Sequence, residues 1–421
     1  MNSLINNHSF KREDFGEDFL WGTGAFKENS QGGGIENYKD EIQLLKKLGI
    51  TNYKFCLSWC NIIPDGTGTP CPSAIKLYVE ILDHCFENNI QPIVTLFQKD
   101  LPSSLTSQGG WANREILVWF ENYVEVCMSA FGHRIKRWIV LNDPAYFTGV
   151  NYFVGLNTPF NTGINYFLPA LHHALLCQAI GFNCIKRNFP NALVGTTYSC
   201  TYIKPKTFSD KDLKATERVD VLLNRVFIEP TLGLGYPITT VPFLKHISKY
   251  FLPGDEALIK VDFDFIELHN YTNEVVEHNS YVPYCNAKIV PLSKRKVDDK
   301  MLNWEVYSIA IYYLILKYSK YIGIQKILIT ENGTAFFDEK KQERINDKTR
   351  IDYIKSYLKQ LLNAKRNGGK VYGYFIGSLN DNFDTENSRN ERLGLSYFNE
   401  QTSEFVIKDS GYWYRDFIES K

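Results

Sequence analysis

Eight short runs rich in β-branched and aromatic residues recur along this chain, each pair separated by a stretch long enough to hold a helix. They are FLWGT from Phe19, NYKFCLS from Asn52, PIVTLF from Pro92, RWIVLN from Arg137, LVGTTYS from Leu193, DFIELH from Asp264, KILIT from Lys326 and VYGYFIG from Val371. Strands alternating with helical stretches argue for parallel βαβ units rather than separate all-α and all-β domains. In the intervals, apolar residues recur at spacings of three and four: Tyr38, Ile42, Leu45 and Leu48; Ile75, Tyr78, Leu82 and Phe86; Ile116, Phe120, Tyr123 and Cys127; Ile351, Ile354, Leu358 and Leu361. Each set forms one stripe of an amphipathic helix, as an outer ring requires. With no Pro/Gly/Ser-rich linker to divide the chain, the pattern predicts an α/β fold, a (β/α)₈ TIM barrel in a single domain over residues 15–421, behind a flexible tail of residues 1–14.

Composition narrows the partners. Of 421 residues, 44% are hydrophobic and 22% charged, which excludes global disorder. Lys+Arg and Asp+Glu are equal at 47 each, so no net field draws nucleic acid or an anionic membrane, and a small neutral molecule is the expected partner. The start, MNSLINNHSFKRED, has no apolar stretch of signal-peptide length, and no window reaches the roughly 18 to 20 apolar residues of a membrane span, so a cytoplasmic location is expected. Nine scattered cysteines without a CxxC pair read as reduced thiols; Cys56 and Cys60 fall where a strand runs into a turn, and no metal site is expected. The chain lacks a P-loop, a GxGxxG after a strand, a GxSxG elbow and HExxH, and no cofactor is implied.

Two connections, residues 200–263 and 273–299, are far longer than a βα loop needs, and excursions at strand ends usually wall a barrel's pocket. The basic cluster SKRKVDDK, residues 293–300, reads as a solvated loop. His172 and His173 lie in the apolar stretch PALHHALL and read as packing residues. Sequons at Asn7, Asn270 and Asn332 lack the secretory context that glycosylation requires.

The residues to inspect in a barrel stand where strands end, because the strand ends open onto one face. Asp143 follows the fourth run in WIVLNDP, and Glu331 ends the seventh in LITENG. One carboxylate at a strand end serves as well for capping; two on one mouth are the usual equipment for breaking a glycosidic bond.

The stretches TLFQKDLPSSLTSQGGW, WIVLNDP, ILITENG, NWEVYSIAI, SLNDNFDTENSRNERLGL and GYWYRDFI resemble glycoside hydrolase family one, the β-glucosidase family, from Phe15 to about Ile418. The resemblance implies a barrel enzyme that retains anomeric configuration. It gives Glu331 as nucleophile, Asp143 in the position of the acid/base glutamate, Asn142 beside it for a sugar hydroxyl, and Tyr271 as donor to the nucleophile.

Departures from the family cluster in the sugar pocket. The His-Trp pair of strand three is replaced by Gln98-Lys99, the strand-two Arg by Lys54, the Asn before the strand-six Tyr by His269, the stacking Trp of strand eight by Gly377, and the Glu-Trp pair by Asp384-Thr385. Lost aromatic faces and a lost guanidinium fork argue against an ordinary glucose site. Gln98, Lys54, His269, Asp384 and the room at Gly377 are the expected contacts of a bulkier or anionic glycone. The chain therefore reads as a retaining glycosidase or transglycosylase acting on a β-linked glycoside other than plain glucose. The alternative is a catalytically silent relative that binds a glycan or protein partner at the barrel mouth.

Overall fold

The computed structural model describes residues 10–24, 38–155, 162–295, 300–301, 304–341, 344–381, 391–399 and 404–420. Eight parallel strands close into a barrel: β1 Leu20–Gly24, β2 Asn52–Cys56, β3 Gln91–Phe97, β4 Arg137–Leu141, β5 Leu193–Ser199, β6 Phe265–His269, β7 Ile327–Asn332 and β8 Val371–Ile376. Each strand pairs with its neighbours in chain order, and β8 pairs back to β1 through Leu20–Gly373 and Trp21–Tyr374. Every one of the eight runs becomes a barrel strand, its ends shifted by no more than two residues.

Strand side chains alternate between the two faces of the wall. Val94, Val140, Ile266 and Ile329 point outward into the main core beneath the helices. Ile93, Ile139, Phe265, Leu328 and Phe375 form a separate apolar cluster within the barrel. Two residues further along three of these strands stand Thr95, Glu267 and Thr330, all buried, with Thr197 on β5 and Lys54 on β2. The filling of the barrel therefore changes from hydrocarbon to polar groups toward the carboxyl ends of the strands, where a site must sit.

The outer ring comprises α1 Tyr38–Lys47, α2 Pro72–Glu87, α3 Ile116–Phe131, α4 Ile164–Asn188, α5 Asp210–Asp220, α6 Ile309–Ser319, α7 Lys348–Arg366 and α8 Asp409–Glu419. Contrary to the sequence reading, α4 is long and apolar enough to cross a membrane, but 83% of that stretch is buried in the protein. Its Gly181 lies so close to β4 that an added Cβ would meet Val140 Cγ1 at 2.4 Å. The alanine-sized gap needed by most residues is absent there, and helix and sheet pack directly.

The two long excursions are one structure. Tyr202–Pro205 from the first pairs in parallel with Asn273–His278 from the second, which pairs antiparallel with Ala287–Ile289. Helix α5 covers this sheet through Ala215 and Val219, packed on Val276 and Ala287. Two expectations need correction here. Arg295, in the basic cluster, is not solvated: its guanidinium donates to the carbonyls of Val290 at 2.7 Å and Asn273 at 3.1 Å and pairs with Glu274. The tail also ends before residue 14, since Phe10 packs on Phe15 and Phe417 and the turn Arg12–Phe15 buries Phe15. These residues are held by aromatic contacts rather than by pattern, which is why periodicity did not include them.

Helix α8 is fixed to the barrel mouth by a buried ion cluster. Lys408 Nζ lies 2.5 Å from Asp381 and 2.6 Å from Asp338, and Arg350 bridges Asp338 to Asp347. Removing one member of such a cluster leaves uncompensated buried charge. Lys408→Met should therefore lower the unfolding free energy by about 3 kcal/mol in urea titration; a loss under about 1 kcal/mol would show that the cluster relaxes to solvent.

Candidate active site

Glu331 and Asp143 have φ of 52° and 54°, a left-handed backbone that non-glycine residues seldom adopt. Such outliers persist only where the surroundings over-determine them, and they concentrate at functional sites. At Glu331 the surroundings are visible. A Cβ on Gly377 would lie 2.8 Å from Glu331 Cα, and one on Gly333 would lie 1.8 Å from the Gly377 carbonyl oxygen. The ends of β7 and β8 are thus in direct backbone contact. The room expected at Gly377 is consequently absent: main chain of β7 fills it.

The Glu331 carboxylate is gripped on both oxygens. Oε1 accepts from Lys54 Nζ at 3.2 Å and Asn142 Nδ2 at 3.4 Å. Oε2 accepts from the Tyr271 phenol at 2.9 Å and lies 3.5 Å from His269 Nδ1. Four residues singled out from sequence, Lys54, Asn142, His269 and Tyr271, therefore converge on one carboxylate from three segments, β2 and the ends of β4 and β6. Burial opposes its ionisation, but His269, Lys54 and Tyr271 outweigh burial and hold its pKa down to about 2. Burial lowers the pKa of His269 in turn, against the pull of the Glu331 charge.

Asp143, half-buried just beyond β4, has the opposite bias. Burial raises its pKa, aided by the Glu331 charge, against a hydrogen bond of 2.6 Å from Ser199 Oγ and the pull of His269. Its Oδ1 accepts from the Tyr146 amide at 3.3 Å, at the start of a wide helical segment, Ala145–Val154. Two carboxyls thus share His269 as a neighbour while their surroundings push them toward different protonation states. That divergence separates an acid from a nucleophile.

Sequence reasoning missed Glu267. It is fully buried on β6, with Oε2 2.8 Å from Lys54 Nζ and accepting from Thr197 at 2.8 Å and Thr330 at 3.3 Å. The available signal was an acidic residue inside the apolar run DFIELH. Ser199, at the end of β5, was missed as well. Of the other expected contacts, Gln98 is half-buried just past β3 and makes no side-chain hydrogen bond among the described residues, and Asp384 lies outside the described residues. His172 and His173 are structural, bonded to Tyr236 and Asp255 and to the Trp111 carbonyl respectively. Cys56 and Cys60 bond to the carbonyls of Leu57 and Asp100; Cys60 lies in a short helix, Trp59–Ile62, rather than a turn. Asn270 and Asn332 are fully buried, which bars a glycan at either, and Asn7 lies outside the described residues.

A closed eight-stranded barrel with two carboxyls of divergent protonation at its mouth has the equipment of a glycosidase. The sequence matches Glycosyl hydrolase family 1 over residues 34–421. It is 31% identical to beta-glucosidase A of Thermotoga maritima, covering 91% of this chain and 85% of that protein. It is 29% identical to the 6-phospho-beta-glucosidase GmuD of Bacillus subtilis, covering 91% and 86%. The fold superposes on a beta-glucosidase from Thermotoga maritima in complex with deoxynojirimycin with a TM-score of 0.88, at 28% identity over 96% of this chain and 98% of that one. The chain belongs to glycosyl hydrolase family 1 and is a retaining O-glycosyl hydrolase.

The depressed Glu331 pKa carries a stability consequence. Between its ordinary value of 4.5 and about 2 the unfolded chain binds the proton that the folded chain refuses, so the contribution is complete above pH 4.5 and is lost as pH falls through about 2. The full difference is about 3 kcal/mol. Unfolding free energies measured from pH 5 to pH 2 should decline less steeply in Glu331→Gln than in the wild type; equal slopes would show that Glu331 is not held ionised.

Proposed function

We propose that this chain cleaves a β-linked glycoside by double displacement, with Glu331 as nucleophile and Asp143 as acid and then base. The observation that carries the reading is the grip on Glu331: Lys54, Asn142 and Tyr271 hold both oxygens of a carboxylate kept ionised at the barrel mouth. Glu331 attacks the anomeric carbon while Asp143 protonates the departing oxygen; Asp143 then takes the proton of an incoming acceptor as that acceptor displaces Glu331. Water and a second sugar or alcohol use the same residues, so transfer is as accessible to this site as hydrolysis.

The pairing of Lys54 also speaks against a silent scaffold. A structural ion pair would account for Glu331 only if Lys54 needed it, and Lys54 already has Glu267 at the shorter distance of 2.8 Å. As to the glycone, Lys54 and His269 are turned to Glu331 rather than left for a sugar. What favours a sugar other than plain glucose is Gln98 together with the aromatic groups that the resemblance leads one to expect and this sequence lacks. The likeness to a protein named as a 6-phospho-beta-glucosidase supports including phosphorylated sugars among those tried.

Incubation with activated 2-deoxy-2-fluoro glycosides of several sugars, plain and 6-phosphorylated, should yield a covalent adduct on the peptide containing Glu331 by mass spectrometry. No adduct with any sugar would end the catalytic reading. Asp143→Asn should slow cleavage of glycosides with poor leaving groups about 10²- to 10⁴-fold, spare the first step for dinitrophenyl glycosides, and abolish the alkaline limb of kcat/KM. An alkaline limb that survives the substitution would exclude Asp143 as the acid.

A further inference from the structure

Lys54 has three N–H donors and three acceptors meet them: Glu267 Oε2 at 2.8 Å, Asn142 Oδ1 at 2.9 Å and Glu331 Oε1 at 3.2 Å. Its side chain is 6% exposed and that of Glu267 is fully buried, so water screens neither. Glu267 is too deep to meet a substrate that reaches Glu331, and Thr197 and Thr330 fix the same oxygen that faces Lys54. One ammonium thus stands between two carboxylates, of which only the outer one is exposed to chemistry.

Resting on the double displacement above, we propose that Glu267 is a positioning residue: its carboxylate, buried behind Lys54, holds that ammonium charged and in place while Glu331 is esterified. In the first step a Glu331 oxygen bonds to the anomeric carbon, the bond from that carbon to the leaving oxygen breaks, and the Asp143 proton passes to that oxygen. The ester is neutral, so Lys54 loses one of its two counter-charges. In the second step the acceptor oxygen bonds to the anomeric carbon, its proton passes to Asp143, and the electron pair of the ester bond returns to Glu331. That returning charge needs an ammonium already waiting for it.

The charged groups facing Lys54 are Glu267 on β6 and Glu331 on β7; the other oxygen of Glu331 meets the Tyr271 phenol at 2.9 Å and His269 Nδ1 at 3.5 Å, and the charge of Glu331 is felt by Asp143. Burial alone disfavours the ammonium, and the two carboxylates together raise its pKa above the ordinary lysine value. With Glu331 esterified and Glu267 neutral, no counter-charge would face the ammonium, and the Asn142 amide oxygen would be left to oppose burial.

The second step provides a clean readout. There Asp143 acts as a base and places its limb on the acid side, so an alkaline limb on deglycosylation reports Lys54. With an activated aryl glycoside, burst and steady-state phases separate the two steps. Glu267→Gln should shift the alkaline limb of the steady-state phase down by at least about one pH unit and the burst phase by less, while Glu267→Asp should return the limb toward its wild-type position. An unmoved limb in Glu267→Gln, with adduct still forming on Glu331, overturns this proposal alone. Absence of a wild-type adduct overturns the double displacement and this proposal with it. Should Glu267→Gln not fold, wild-type protein labelled with ¹⁵N-lysine and trapped as the fluoro-glycosyl adduct keeps the test open. The Lys54 ammonium signal, assigned with Lys54→Met, should persist above about pH 8, and its loss at lower pH overturns the proposal.

Discussion

A single buried ammonium organises the mouth of this barrel. Lys54 on β2 reaches across the lumen to Glu267 on β6, Glu331 on β7 and the amide of Asn142 just past β4. A charge placed there without partners would cost several kcal/mol, and each partner would be equally intolerable without it. The strand ends are therefore not free to drift independently. The left-handed backbone at Glu331 and the backbone contact between Gly333 and Gly377 sit within the same set of constraints.

The barrel itself was legible because its signal is local and repeated. Strand runs such as PIVTLF and LVGTTYS declare themselves by β-branched content, and α2 and α3 by stripes spaced at three and four residues. Asp143 and Glu331 were legible from their place at strand ends, and Tyr271, Asn142 and Lys54 through likeness to a family whose motifs surround them. Glu267 was not, because its meaning is set by what lies across the barrel lumen, 213 positions away in sequence from Lys54. An acidic residue between Ile266 and Leu268 signals that something must compensate it; the compensating group comes from the closure of the barrel and no window of the chain contains it.

The misread segments fail for the same reason in reverse. Arg295 sits in a run of charges that looks solvated, yet three acceptors from the excursion sheet draw its guanidinium inward. Phe10 precedes any periodic pattern and is ordered only because Phe15 and Phe417 offer ring edges to it. Gly377 suggests vacancy to a reader of sequence, whereas in space it marks a place where two main chains touch and no side chain fits. Composition describes what a residue carries; packing decides what is left over for it to do.

The joining of the two excursions through one small sheet has an evolutionary corollary. Because Tyr202–Pro205 and Asn273–His278 complete each other's ladder, a change of length or register in one arm is felt by the other. Insertions that lengthen one arm strip hydrogen bonds from the other, so tolerated change along this edge is paired change. Grafting a rim from a homologue would succeed only by transplanting both arms together, with the α5 cover that seals them.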